Sequence, residues 1–273
     1  MNTALLTIDD VSSKNTPAIV DYLNSKGIRA IMFAVGEWVE QYWDEAVYAL
    51  RHGMIIGNHS YSHPHFSEIS FEEGVREIER CEDVLNRLYA AAGVERVWRP
   101  FRFPYGDKGG DNREALQAYF REQGFHKVED RHLTYEWWKR WKLNTDVDTF
   151  WTFDFAEWQM PGNPAFRKEQ VWERMHDEHP SGGAVLFAEN NRHILLLHAH
   201  DETEAILPEY WRLFIDHLLE NGITFDEPAF MKTPPSLVQP ALAKAVQPAP
   251  AKRPLYRRVL GRIRREVKKL LSR

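Results

Sequence analysis

A chain of 273 residues, 43% of them hydrophobic, can bury one large core, and barrels of this length commonly form a single domain. One cysteine, Cys81, excludes an internal disulfide and fits a reducing compartment, and no run of about 18 apolar residues offers a membrane-spanning helix. The net charge of −5 is unevenly spread: residues 252–273 carry ten Lys or Arg against one acid, +9, which leaves 25 bases against 39 acids, −14, in residues 1–251.

The first predicted element is a buried strand, Ala4 to Ile8, short and apolar, that ends in Asp9 and Asp10. Taken alone, the two acids read as an Asx-turn and a helix cap. Adjacent carboxylates also resist joint ionisation unless a cation or an arginine is near. A helix follows from Asn15 to about Lys26, then a nearly all-apolar strand from Ile28 to Val35 and a helix from Trp38 to His52. Met54 to Ile56 is a third strand, leading into Gly57-Asn58-His59-Ser60-Tyr61-Ser62-His63. Ser70 and Glu73 form a capping box for a helix that runs to Gly93. Val97 to Phe103 is strand-like, and Asn112 to Gln123 is helical. Trp137, Trp138 and Trp141 either cover the barrel or stack on sugar rings, the first being the more common fate of an indole. A strand over Phe150 to Phe155, a helix from Pro164 to His179 and a strand over Ile194 to His198 come next. A helix from Ile206 to Glu220 and a short strand from Ile223 to Phe225 complete the pattern.

Strands alternating with helices predict a parallel sheet in an α/β fold, most economically a closed or nearly closed barrel. In such a barrel the carboxyl ends of the strands share one mouth, which gathers Asp9, Asp10, His59, Arg102, Asp154 and His198. His59 and His63 stand one helical turn apart, so a turn of helix or a tight loop aims both imidazoles the same way. With Asp10 as a third ligand, two nitrogens and one oxygen suit one divalent ion, zinc first, cobalt or nickel as alternatives. His-x-x-x-His alone is a weak signal; opposed by a double aspartate after a strand it is a strong one.

Five ordered segments carry a resemblance. Thr7-Ile8-Asp9-Asp10, His59-Ser60-Tyr61-Ser62-His63, Arg102-Phe103-Pro104-Tyr105-Gly106, Asp154-Phe155-Ala156-Glu157-Trp158 and Leu196-Leu197-His198 resemble the motifs of the polysaccharide deacetylases, the NodB-homology carbohydrate esterases. The resemblance covers roughly residues 3–227 and implies a distorted (β/α) barrel and metal-assisted hydrolysis of an N- or O-acetyl group. It implies Asp10, His59 and His63 as metal ligands and Asp9 as general base, paired with Arg102. It implies His198, oriented by Asp154, as general acid, with the amide of Tyr105 at the oxyanion, Leu196 at the acyl methyl and Trp158 beside them. Val11-Ser12 stands where the family carries Gly-Pro, and Glu157 where its fourth motif has a second aspartate. His200 could compete as the acid, but His198 has a leucine two places before it.

Residues 1–232 are thus expected to be the catalytic barrel. Residues 233–251, with five prolines among alanines, read as a linker. Residues 252–273 read as a basic amphipathic helix, with Leu255, Val259, Ile263, Val267, Leu270 and Leu271 on one stripe. Residues 254–273 suit an anionic bilayer, while the acidic body speaks against nucleic acid. Together these features predict a metal-dependent hydrolase that removes acetyl from an amino sugar, free or in a lipid- or nucleotide-linked glycan precursor. Alternatives on the same barrel are a deformylase, a cyclic-amide hydrolase and a non-catalytic sugar or lipid binder. With no signal segment ahead of the first strand, the expected location is cytoplasmic, the tail offering attachment to the inner face of the membrane.

Overall fold

The computed structural model describes residues 2–232; the expected linker and basic helix lie outside the described residues. Six parallel strands form one sheet: β1 (Asn2–Val11), β2 (Ile31–Ala34), β3 (Ile55–Asn58), β4 (Phe153–Asp154), β5 (Arg192–His198) and β6 (Ile223–Phe225). Their order is β3-β2-β1-β5-β4, and β6 joins the start of β1. Ladder pairing leaves a gap between β3 and β4, which isolated backbone bonds span. Asn58 donates to the Pro100 carbonyl, Arg102 to that of Asn58, Thr149 to that of Phe101 and Thr152 to that of Ile194. The expected distorted barrel is therefore a parallel sheet whose circuit is completed by irregular backbone.

The central strand β1 is buried from Ala4 onward, and its alternating side chains serve two cores. Leu6 and Ile8 face an outer layer shared with Leu195 and Leu197 of β5. That layer is packed by α1 (Thr16–Ser25), α2 (Gly36–Gln41), α3 (Trp43–Arg51), α4 (Phe71–Ala92), α7 (Lys168–Met175) and α9 (Tyr210–Glu220). Leu5 faces inward with Ile31, Phe33, Ile55 and Ile194. Their cluster is completed by Val128, Leu133, Leu143 and the buried Trp138 of α6 (Glu136–Arg140). The tryptophan-rich stretch thus packs into the inner core, Trp138 donating its indole N–H to Asp130 at 2.9 Å. A third cluster of phenylalanines, 66, 101, 103, 120 and 125, joins α4 to α5 (Arg113–Glu122).

Several expected boundaries differ. The helix predicted over Trp38 to His52 is two helices, because Tyr42 sits at φ −119°, ψ 54°; its carbonyl accepts the Ala46 amide at 3.2 Å and also the Ser12 hydroxyl at 2.8 Å. The helix expected from Ile206 begins only at Tyr210, as α9, and a separate helix, α8 (Asp201–Ile206), precedes it; between them Pro208 disfavours helical backbone at Leu207 and Glu209 adopts φ 56°. The helix expected from Pro164 begins only at Lys168 and ends at Met175. Val97 to Phe103 contributes a single bridge, Asn58 to Phe101, and only Phe153–Asp154 of the strand predicted over Phe150 to Phe155 pairs regularly.

Candidate active site

Two adjacent residues of a strand normally face opposite sides of a sheet. Asp9 and Asp10 both line one cavity because Asp10 has φ 62°, a left-handed step at which β1 also shifts register against β2. Such a conformation is disfavoured for a residue with a Cβ and recurs at functional sites. Below it lies Arg102, fully buried. One terminal nitrogen donates to Asp9 Oδ1 at 2.7 Å and Thr7 Oγ1 at 2.8 Å, and Nε donates to the Thr149 carbonyl at 3.1 Å. The guanidinium stacks 4.4 Å from the Phe33 ring, so Asp9 is held from beneath by a rigid cation.

His59 and His63 lie in a tight loop rather than a helix, with left-handed residues at Ser60 and His63. The loop is anchored from α4: Glu77 accepts the backbone N–H of Tyr61 (3.2 Å) and of Ser62 (2.8 Å). Asn58 donates to Glu82 at 2.9 Å and accepts from the Ser60 amide at 2.8 Å. His59 Nδ1 donates to the Arg102 carbonyl at 2.8 Å, which in the neutral ring leaves the Nε2 lone pair facing the cavity. Burial, reinforced by His59, pushes His63 down to about 4, so its imidazole is neutral at pH 7 as a metal ligand must be.

The three nominated ligand atoms converge. His59 Nε2 and His63 Nε2 are 3.3 Å apart, and Asp10 Oδ1 is 3.4 Å from His63 Nε2 and 3.7 Å from His59 Nε2. Two ligands about 2.0–2.1 Å from one zinc ion at near-tetrahedral angles stand roughly 3.4 Å apart. Asp10 Oδ1 is buried without a hydrogen-bond partner, which a cation would supply. The donor set and its spacing therefore fit a divalent ion. The other oxygen, Oδ2, accepts from His200 Nε2 at 2.6 Å. Burial would raise the Asp10 carboxyl, but that hydrogen bond first, and then its electrostatic interactions with the neighbouring histidines, hold it far below the usual carboxylate range.

Opposite the triangle stands His198, whose Cα pairs with that of Asp9 across β1 and β5. The expected orienting acid, Asp154, is not its partner. Glu157, fully buried, accepts both the His198 amide (2.6 Å) and its ring Nδ1–H (3.0 Å). Asp154 instead accepts the Ala156 amide at 2.7 Å and the Trp158 indole N–H at 3.4 Å. The reason is the left-handed turn at Ala156, φ 62°, which folds residue 157 back beneath β5. Burial alone would depress His198, but Glu157 first, then Asp10 and Asp154, push it up to about 10. Asp154, Glu157 and His198 form a second group with three ligand-type atoms near one another, in which the Glu157–His198 bond already occupies one atom of each.

Asp9, the three nominated ligands, Asp154, His198 and His200 meet in a cavity of about 260 Å³, whose walls also include Leu196, Trp151, Tyr105 and Trp158. Tyr105, at φ 57°, stacks on His65 at 3.9 Å and meets His63 edge-on at 4.5 Å. Tyr105 and Trp158 are exposed and line the cavity, whereas Trp137 and Trp141 do not line it, so the aromatic rim belongs to the first pair.

Residues 1–124 match the family model described as polysaccharide deacetylase. A peptidoglycan-N-acetylglucosamine deacetylase of Bacillus cereus is 35% identical over 133 residues, 48% of this chain and 45% of that protein. In this part the chain is similar to the polysaccharide deacetylases. It spans less than half the length of the first curated relatives it matches. A family 4 carbohydrate esterase from Streptomyces lividans, solved with acetate, superposes with TM-score 0.54 at 21% identity, over 82% of this chain and 92% of that one. A pseudoenzyme from Bacillus anthracis also superposes, at TM-score 0.51 and 20% identity, over 82% of this chain and 62% of that one. The deacetylase fold is therefore shared by active and inactive proteins, and activity has to be argued from the side chains.

Two features of this site are not legible in the sequence. His200 was weighed only as a rival acid, yet it bonds Asp10; two residues beyond His198, it shares that residue's side of the chain, which was the available signal. Glu157 was noted only as a mild change from aspartate, and its contact depends on a turn the sequence does not announce. A consequence can be measured. Glu157→Gln removes the largest of the negative charges that oppose burial at His198 and leaves only Asp10 and Asp154, so the imidazole pKa falls. A general acid works below its pKa; the alkaline limb of the rate profile should therefore move to lower pH, together with the His198 ring resonances. An unmoved limb would show that Glu157 does not set the acid.

Proposed function

We propose that the chain is a metal-dependent deacetylase that hydrolyses an N-acetyl group on an amino sugar of a glycan or glycan precursor. The observation that carries this is the placement of Asp9 and His198, paired across neighbouring strands, beside one triangle of ligand atoms. Asp10, His59 and His63 would hold one divalent ion, zinc by the donor set. Bound there, it would polarise the acyl oxygen and make water nucleophilic near neutral pH.

The chain's own groups do the remaining work. Asp9 Oδ2, 3.5 Å from His59 Nε2 and free of the Arg102 bond at Oδ1, takes a proton from the attacking water. The amide of Tyr105, at the rim, donates to the developing oxyanion. Leu196 offers an apolar wall for the acyl methyl. His198 Nε2 gives a proton to the leaving nitrogen, with Glu157 fixing Nδ1 as the other protonated atom. Asp154 steadies Trp158 at the rim rather than His198. A binding-only barrel gains nothing from burying Arg102 against Asp9, since a buried ion pair is poor stabilisation compared with apolar packing.

The test is acetate release by the full chain, loaded with zinc, from acetylated amino sugars offered free, nucleotide-linked and lipid-linked. Release from at least one is expected. No release from any, with formate released from formyl analogues, would move the assignment to a deformylase.

Residues 254–273, outside the described part, add the second half of the proposal: a cytoplasmic enzyme held at an anionic membrane surface. Each base near such a surface contributes about 1 kcal/mol, screened by salt. Co-sedimentation with anionic vesicles is expected for the full chain, weakening as salt rises, and not for a chain ending near Thr233. Equal behaviour of the two would remove the membrane from the function.

A further inference from the structure

A second cavity, of about 250 Å³, adjoins the reaction cavity, and both share Asp10 and His200 as lining residues. The hydrogen bond between those two residues is thus the partition. Trp38 and Tyr42 give the side cavity aromatic walls, Gln41 an amide, and Asp201 and Glu202 carboxylates; among the described residues no lysine or arginine lines it. Trp38 also stacks on His63 at 5.9 Å, so a wall of the side cavity packs against a residue that lines the reaction cavity.

The polar atoms of this recess are under-used. Among the described residues, Asp201 Oδ1 is buried with no hydrogen-bond partner, and Oδ2 accepts only a long bond, 3.4 Å, from the Lys14 amide. Among the described residues, no hydrogen bond or ion pair engages the Glu202 carboxylate. A buried acceptor left unpaired is costly, and a ligand that donates to it recovers that cost. Aromatic faces beside unpaired carboxylates are the chemistry of an organic ammonium: the rings attract the cation and pack against apolar C–H, and the carboxylates accept charge-assisted N–H bonds.

We propose that the side cavity binds the free ammonium group of an amino sugar that neighbours the ring held in the reaction cavity. That the ligand is a sugar rests on the deacetylase proposal; that it carries a cation rests on the recess alone. The product of deacylation is itself such an amine, so a chain already deacylated at one ring would be the better substrate at the next. The same charges repel phosphate, so a nucleotide diphosphate is not the group accommodated there.

The experiment is binding to the full chain of two disaccharides that nothing can deacylate, the glucosamine dimer of chitosan and cellobiose, at mildly acidic pH. They share rings and linkage and differ by ammonium against hydroxyl. The glucosamine dimer is expected to bind about tenfold more tightly, and Asp201→Asn with Glu202→Gln to bring the pair within about twofold. Glu202→Gln alone, at an exposed position that folding tolerates, should remove about half of that preference on a logarithmic scale. Lysine blocked at both backbone ends carries the ammonium without the ring and should bind more weakly than the dimer. Equal affinity for the two sugars, a preference unchanged in both variants, or blocked lysine binding as tightly as the dimer would each overturn the proposal. Because no turnover is involved, an enzyme that releases no acetate yet keeps this preference fails only as a deacetylase. One that releases acetate without the preference fails only here.

Discussion

Asp9→Asn is expected to lower acetate release by two to four orders of magnitude, the range for loss of a general base, with metal content unchanged. The substitution is close to isosteric, and the side-chain carbonyl can still accept the bond that Arg102 now makes to Oδ1 at 2.7 Å. What disappears is the basic oxygen facing the triangle. The charge of Arg102 then has no carboxylate partner, and removing one member of a buried pair costs about 3–5 kcal/mol when nothing replaces it. Thr7 and the Thr149 carbonyl remain as acceptors, so a smaller loss is expected here, and thermal unfolding should be recorded beside the rate. A folded variant with near-normal turnover on the same substrate would show that Asp9 is structural only.

The second large effect is loss of the ion. His59→Ala and His63→Ala each remove one corner of a triangle whose sides are 3.3, 3.4 and 3.7 Å, leaving two ligands where a closed site needs three or more. Elemental content should fall from one ion per chain to a small fraction. A ligand that binds only the folded state stabilises it by about 2.7 kcal/mol at one hundred times its Kd. Added zinc should therefore raise the unfolding temperature of the wild type and leave that of either variant where it was. Full occupancy in both variants would put the ion elsewhere and dissolve the proposed mechanism.

The measurements would rest on a division of labour between chain and fold. The apolar strand of residues 4–8, the loop His59 to His63 and the apolar β5 were legible because each depends on local pattern: period, capping and ligand spacing. That local pattern also sufficed to nominate Asp10, His59 and His63, and the ligand atoms of those three do converge. The buried pairing of Arg102 with Asp9 came from resemblance, and its geometry follows from the inward alternation of Thr7 and Asp9 along β1. The two acids could be read from the sequence by themselves; their shared orientation could not. It depends on a left-handed Asp10, which intrinsic preference disfavours and only the surrounding structure can impose. The same holds for Ala156, whose turn hands His198 to Glu157 instead of Asp154. Residue type and spacing determined which chemistry this chain carries. Which acid touches which histidine, and that a second acidic recess lies behind Asp10, was decided by tertiary contacts between segments some 190 residues apart, such as Asp10 with His200, because no local rule reaches that far.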